Sequence, residues 1–141
     1  MLTRNAIDTG ELARLAATAR EQSYAPYSQF AVGAAVLTAD GSAFTGCNVE
    51  NASFGLTVCA ERVAIFGAVA AGHRCIVALA VSADPPAWPC GACRQVLAEF
   101  ASPECPIITS HGQKIVASLT LAELLPHAFS SDSLVRRQAA P

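Results

Sequence analysis

Cys59-Ala60-Glu61 and, some thirty residues on, Pro89-Cys90-Gly91-Ala92-Cys93 give this chain three thiols and a carboxyl that could gather around one metal ion. Three thiolates hold zinc and leave its fourth position to water, and a carboxylate that is not a ligand can then move that water's protons. A purely structural zinc site would close its shell with four protein ligands. Here the carboxyl stands two residues after the first cysteine, so Cys59, Cys90 and Cys93 are the expected ligands and Glu61 the expected catalytic proton carrier. This layout suits hydrolytic removal of an amino group from a nucleobase. Three thiolates on a dication leave a formal negative charge that would weaken its hold on the water's proton. Arg62 and Arg94, each close in sequence to a ligand, are expected to donate to the sulfurs and offset that charge.

These groups meet only if the elements that carry them start at one edge of the fold. Cys59 to Ala71 is rich in Ala and Val and ends at Gly72, as a buried helix with a glycine cap would. Cys90 to Ala101 reads as a second helix, and the nearly continuous apolar run Ile76 to Ala83 as a central strand between them. Upstream, Ile7 to Gln22 places Ile7, Leu12, Leu15 and Ala16 on one face of an amphipathic helix. Phe30 to Thr38 and Ser42 to Val49 read as strands joined at Asp40-Gly41, a pair suited to a positive-φ hairpin turn. Cys105 to Ser110, a short strand near Ile115 to Ala117 and a short helix from Leu121 to Leu125 complete the pattern. The expectation is an α/β sandwich of one domain, residues 1 to 129, with residues 130 to 141 as a flexible C-terminal tail.

The 141 residues are enough for one sizeable core. Apolar residues make up 52% and charged ones only 14%, well under the roughly 25% of ordinary domains. So few charges cannot cover a monomer, which predicts association with further copies. A net charge of −2 without a basic run argues against a polynucleotide partner and for a small substrate. No signal-like or membrane-spanning stretch is evident, and the Cys-x-x-Cys spacing favours reduced thiols, so a cytoplasmic location is expected. Cys47, Cys75 and Cys105 read as small buried hydrophobes, and His73, His111 and His127 as satisfied or solvated side chains. Trp88, just before the Cys-x-x-Cys, could line the pocket or pack its loop against the oligomer.

In order along the chain, Pro26-Tyr27-Ser28-Gln29-Phe30-Ala31-Val32-Gly33-Ala34, Gly46-Cys47-Asn48-Val49-Glu50-Asn51, Cys59-Ala60-Glu61-Arg62, Pro89-Cys90-Gly91-Ala92-Cys93-Arg94-Gln95 and Leu124-Leu125-Pro126-His127-Ala128-Phe129 resemble the small homotetrameric zinc-dependent cytidine deaminases. The resemblance runs from about Tyr24 to Phe129. It implies a three-layer α/β/α sandwich on a mixed, roughly five-stranded sheet, one zinc ion per subunit, and cytidine or deoxycytidine as substrate. It further implies that Phe30 stacks on the pyrimidine, that Asn48 and Glu50 bond the sugar 3′-hydroxyl, and that Ala60 belongs to the substrate pocket. Phe54 and Phe129 match positions that reach across to a neighbouring subunit in a homotetramer. Phe54 stands where tyrosine is common, and His127 where glycine is frequent. A deaminase of the blasticidin type would share the zinc chemistry, and a zinc-stabilised binding module would show four protein ligands and no use for Glu61.

Overall fold

The structure is a computed structural model that describes residues 7–135. In chain order the elements are α1 (Thr9–Arg20), β1 (Val32–Thr38), β2 (Ala43–Cys47), a single 3-10 turn (Phe54–Leu56), α2 (Ala60–Ala70), β3 (Ile76–Ala83), α3 (Gly91–Phe100), β4 (Pro106–His111), β5 (Lys114–Thr120), α4 (Leu121–Leu124) and α5 (Asp132–Val135). They form one five-stranded sheet in the order β2-β1-β3-β4-β5. It is mixed: β1 runs antiparallel to both β2 and β3, β3 pairs in parallel with β4, and β4 is antiparallel to β5.

Strand alternation divides the side chains into two cores. Ala35, Ala78, Ala80 and Ile108 face α1 through Leu12 and Ala16. Ala34, Val36, Leu79, Val81 and Ile107 face the other way, against Ala60, Ala64, Ile65 and Ala68 of α2 and Leu97 of α3. The sheet is therefore sandwiched between α1 and the α2/α3 pair, and the apolar run Ile76 to Ala83 is its middle strand, as expected. Because β2 and β3 are both antiparallel to β1, they point the same way. Each of the crossovers β2-α2-β3 and β3-α3-β4 then starts its helix where a strand of that shared direction ends, so the N-termini of α2 and α3 lie along one edge of the sheet.

Close approach of α2 to the sheet depends on Gly46. A Cβ there would stand 2.6 Å from both the Ala60 carbonyl oxygen and the Ala64 nitrogen. The β1–β2 hairpin differs from the expected two-residue turn. Thr38 and Ser42 close a three-residue loop in which Gly41 alone, at φ 90°, takes the positive-φ position. Both strands are also shorter on the functional side than their sequences suggest. Gln29 sits at φ 57°, and the Asn48 side chain takes the place of ladder bonds at Phe30 and Val32, so regular pairing starts only at Val32. Beyond Cys47, Val49 keeps only isolated bridges to Tyr24 and Val58. In contrast, β5 is longer than expected, because β4 pairs with it from Lys114 to Thr120. The segment expected as a tail includes the helical turn α5; residues 136–141 of that expectation lie outside the described residues.

Candidate active site

Cys59 and Cys90 are the N-cap residues of α2 and α3, both extended (φ −70°, ψ 152° and φ −67°, ψ 167°) and neither bonding its own helix through sulfur. That leaves both thiols free to turn outward beside the positive helix ends. Cys93 lies one turn into α3, buried at 1% exposure. The three sulfurs lie within 4.8 Å of one another, with Cys59 Sγ 3.9 Å from Cys90 Sγ and Cys90 Sγ 3.5 Å from Cys93 Sγ. Tetrahedral zinc with Zn–S bonds of about 2.3 Å separates its sulfurs by about 3.8 Å, so the donor set and its spacing fit that ion.

The carboxyl of Glu61 is 5% exposed, and its Oε2 lies 3.7 Å from Cys93 Sγ. Burial is the main reason its pKa is raised, and the Cys59 thiolate pushes it the same way. The Cys59 thiol is lowered to about 5, first by the neighbouring Cys93 thiol and then, against the opposing effect of burial, by Arg62. Cys93 moves upward because of Cys59 and its own burial. Arg62 Nη2 donates to Cys59 Sγ at 3.3 Å, as the sequence suggested.

Arg94 differs from expectation. Its Nε donates to the Pro89 carbonyl at 2.7 Å and its Nη1 to that of Leu124 at 2.8 Å, so it ties α4 to the residue preceding Cys90 and does not bond a sulfur. These two carbonyls take the Nε and Nη1 donors of the guanidinium.

The sequence profile of the cytidine and deoxycytidylate deaminase zinc-binding region matches residues 8–109. The chain belongs to this deaminase family. Cytidine deaminases of Sporosarcina psychrophila and Halalkalibacterium halodurans are each 48% identical to it over 130 residues, covering 91% of this chain and 96% and 98% of theirs. Among solved structures, the cytidine deaminase of Burkholderia pseudomallei is 50% identical with a TM-score of 0.79, over 84% of this chain and 97% of that one. That of Mycobacterium tuberculosis is 42% identical with a TM-score of 0.77, over 88% and 98%.

In this deaminase-family chain the remaining residues expected at the site fall in two groups. Phe30, Asn48 and Glu50 cluster where β1 begins and β2 ends, outside the regular strands. Asn48, 8% exposed, accepts the Val32 N–H at 2.9 Å and the Ser23 hydroxyl on Oδ1, and donates Nδ2 to the Phe30 carbonyl at 2.7 Å. Glu50 accepts the N–H groups of Tyr27 and Ser28 at 2.8 and 3.1 Å and the Ser28 hydroxyl. Ala60 is fully buried at the start of α2. The second group, Phe54 and Phe129, is far more open, at 71% and 62% exposure. The Phe54 ring meets the Tyr27 ring edge-on at 5.4 Å, while the Phe129 carbonyl accepts from Gln95 Nε2 at 2.9 Å.

Sequence reading missed Ser23, Ser28 and Tyr27, which hold these residues in place; the Pro-Tyr-Ser turn was the available signal. Trp88 packs against the α2/α3 core. Of the other cysteines, Cys105 is buried and Cys47 half-buried, but Cys75, one residue ahead of β3, is exposed. His73 and His111 pair with Asp40 and Asp84 at 3.3 and 3.4 Å, and His127 is exposed at φ 55°.

Proposed function

We propose that this protein converts cytidine and deoxycytidine, with one water, to uridine and deoxyuridine and ammonia, as a zinc hydrolase of pyrimidine salvage. The observation that carries the reading is a buried carboxyl, Glu61, beside a trio of thiols spaced for zinc. Cys59, Cys90 and Cys93 would hold the zinc ion, which when bound would supply a water acidic enough to attack near neutral pH. Glu61 is placed to move one proton of the attacking water to the ring nitrogen N3 as the oxygen bonds C4, and then to carry the second, left on that oxygen, to the departing amino group as the C4–N bond breaks and the C4 carbonyl forms. Burial suits it to this exchange, because a carboxyl raised above its ordinary range releases and recaptures protons nearer neutrality. Arg62 balances thiolate charge through its bond to Cys59.

Phe30 stacks on the pyrimidine in this reading, Ala60 lines the base pocket, and Asn48 and Glu50 grip the 3′-hydroxyl, a contact indifferent to the 2′ position. Asn48 has one Nδ2 proton left for such a bond after its contacts within the chain. Residues 1–129 form the catalytic domain, and the functional unit is a cytoplasmic homotetramer in which Phe54 and Phe129 reach into neighbouring sites. The exposure of both rings supports that arrangement.

Ammonia release from cytidine by zinc-loaded protein, abolished by a chelator, tests the proposal. Glu61→Ala is expected to keep zinc and fold while losing about 10²–10⁴-fold in turnover. Near-normal turnover in a fully zinc-loaded variant would overturn the role of Glu61.

A further inference from the structure

The connector between α1 and β1 carries a run of hydrogen bonds that the zinc chemistry does not use. The Phe30 backbone N–H donates to Ser28 Oγ at 3.1 Å, and the Ser28 hydroxyl donates in turn to Glu50 Oε2. The other carboxylate oxygen, Oε1, is occupied by the N–H groups of Tyr27 and Ser28. A carboxylate offers about four lone-pair positions, of which three are filled, leaving one on Oε2 for a ligand hydroxyl. The Ser28 hydroxyl thus fixes both the rotation of the carboxylate and the course of the backbone into Phe30. Its donation is also the largest cause of the lowered pKa of Glu50, which keeps that group an acceptor.

We propose that Ser28 is a positioning residue for substrate recognition, joining the base-stacking Phe30 to the sugar-binding Glu50 so that grip on the 3′-hydroxyl depends on a side chain acting through Glu50. The proposal rests on the roles given above to Phe30 and Glu50. A serine that merely closed its turn would, when removed, weaken every substrate alike. A serine that aims Glu50 costs a substrate carrying the 3′-hydroxyl more than one without it, and any effect through the Phe30 backbone falls on both and cancels in their ratio.

The test compares kcat/KM for cytidine and 3′-deoxycytidine in wild type, Ser28→Ala and Ser28→Thr, all zinc-loaded. The ratio of the two values is independent of the fraction of protein folded, since both substrates meet the same active population. Ser28 is exposed, so the extra methyl of threonine has room. Wild type is expected to favour cytidine; Ser28→Ala to lose about tenfold of that preference, mainly through KM for cytidine; and Ser28→Thr to restore it. An unchanged ratio in Ser28→Ala, whether or not both substrates lose activity, would overturn the role of Ser28 through Glu50. Wild type with no activity on cytidine would instead overturn the functional reading, and wild type without preference between the two substrates would overturn the sugar contact of Glu50.

Discussion

Cysteine is a poor helix cap, yet Cys59 and Cys90 both occupy that position without bonding their own helices. An Asp or Ser there would stabilise each helix by about 1 kcal/mol. The sequence forgoes that stability to aim two thiols across the gap between α2 and α3. His127 shows a similar compromise, holding φ 55° with a side chain exposed to solvent. A non-glycine residue in that region costs about 1–2 kcal/mol, partly offset by the greater freedom glycine has when unfolded. His127→Gly is therefore expected to raise the urea midpoint modestly; a lower midpoint would show that the histidine's contacts outweigh the strain. At this scale the sequence was most readable where partners are close along the chain. Glu61 and Arg62 follow Cys59 within one helical turn, so spacing alone assigned their neighbourhood. Arg94 finds its acceptor Leu124 thirty residues away, and Ser28 meets Glu50 twenty-two residues away, distances at which only the folded chain decides the partner.

The elements explain why so much chemistry falls at one edge. Two crossovers in the same direction bring the starts of α2 and α3 together, and the end of β2 and start of β1 add Asn48 and Phe30 beside them. Gly46 is the point where α2 presses on β2. Gly46→Ala would force α2 away from β2, with an expected loss of about 1–3 kcal/mol and a fall in bound zinc, measured by thermal melting and metal stoichiometry. Unchanged values for both would show that the helix shifts without disturbing Cys59. The hairpin at the opposite end of these strands has its own electrostatic anchor. Asp40 is lowered from 3.8 to about 2, chiefly by the Thr38 hydroxyl, with smaller help from the Ser42 N–H and His73. A carboxyl with a depressed folded pKa stabilises the fold above its unfolded pKa and loses that contribution as pH falls through the folded one. Stability should thus decline from about pH 4 toward pH 2, and Asp40→Asn should flatten that part of a urea-midpoint profile. The central strand and both site helices were readable in their apolar runs. The early ends of β1 and β2 were not, because the Asn48 side chain replaces backbone pairing there, and β5 was underestimated because its outward edge carries no alternation: Lys114 to Val116 are all exposed.

For the whole molecule, the low charge content and the apolar groups left open point the same way. Tyr24, Tyr27, Phe54, Leu56, Phe66 and Phe129 are each about half exposed or more, a large apolar area for a single chain. The native protein is expected to sediment above monomer mass at micromolar concentration; a monomer under those conditions would remove the shared-pocket arrangement. Among the described residues, no helix is long and apolar enough to cross a membrane. The meeting of Cys59 and Cys90 also has a topological side. Their sulfurs are 3.9 Å apart although 31 positions separate them in the chain, so one ion bound to both closes a ring that contains α2 and β3. If the ion stays on the thiols during unfolding, the ring removes ~4 kcal/mol of loop freedom from the open chain. If it leaves, its binding energy is lost together with the fold. The ion is a removable cross-link in both cases, but only in the second does the chain's resistance to unfolding follow the free zinc around it.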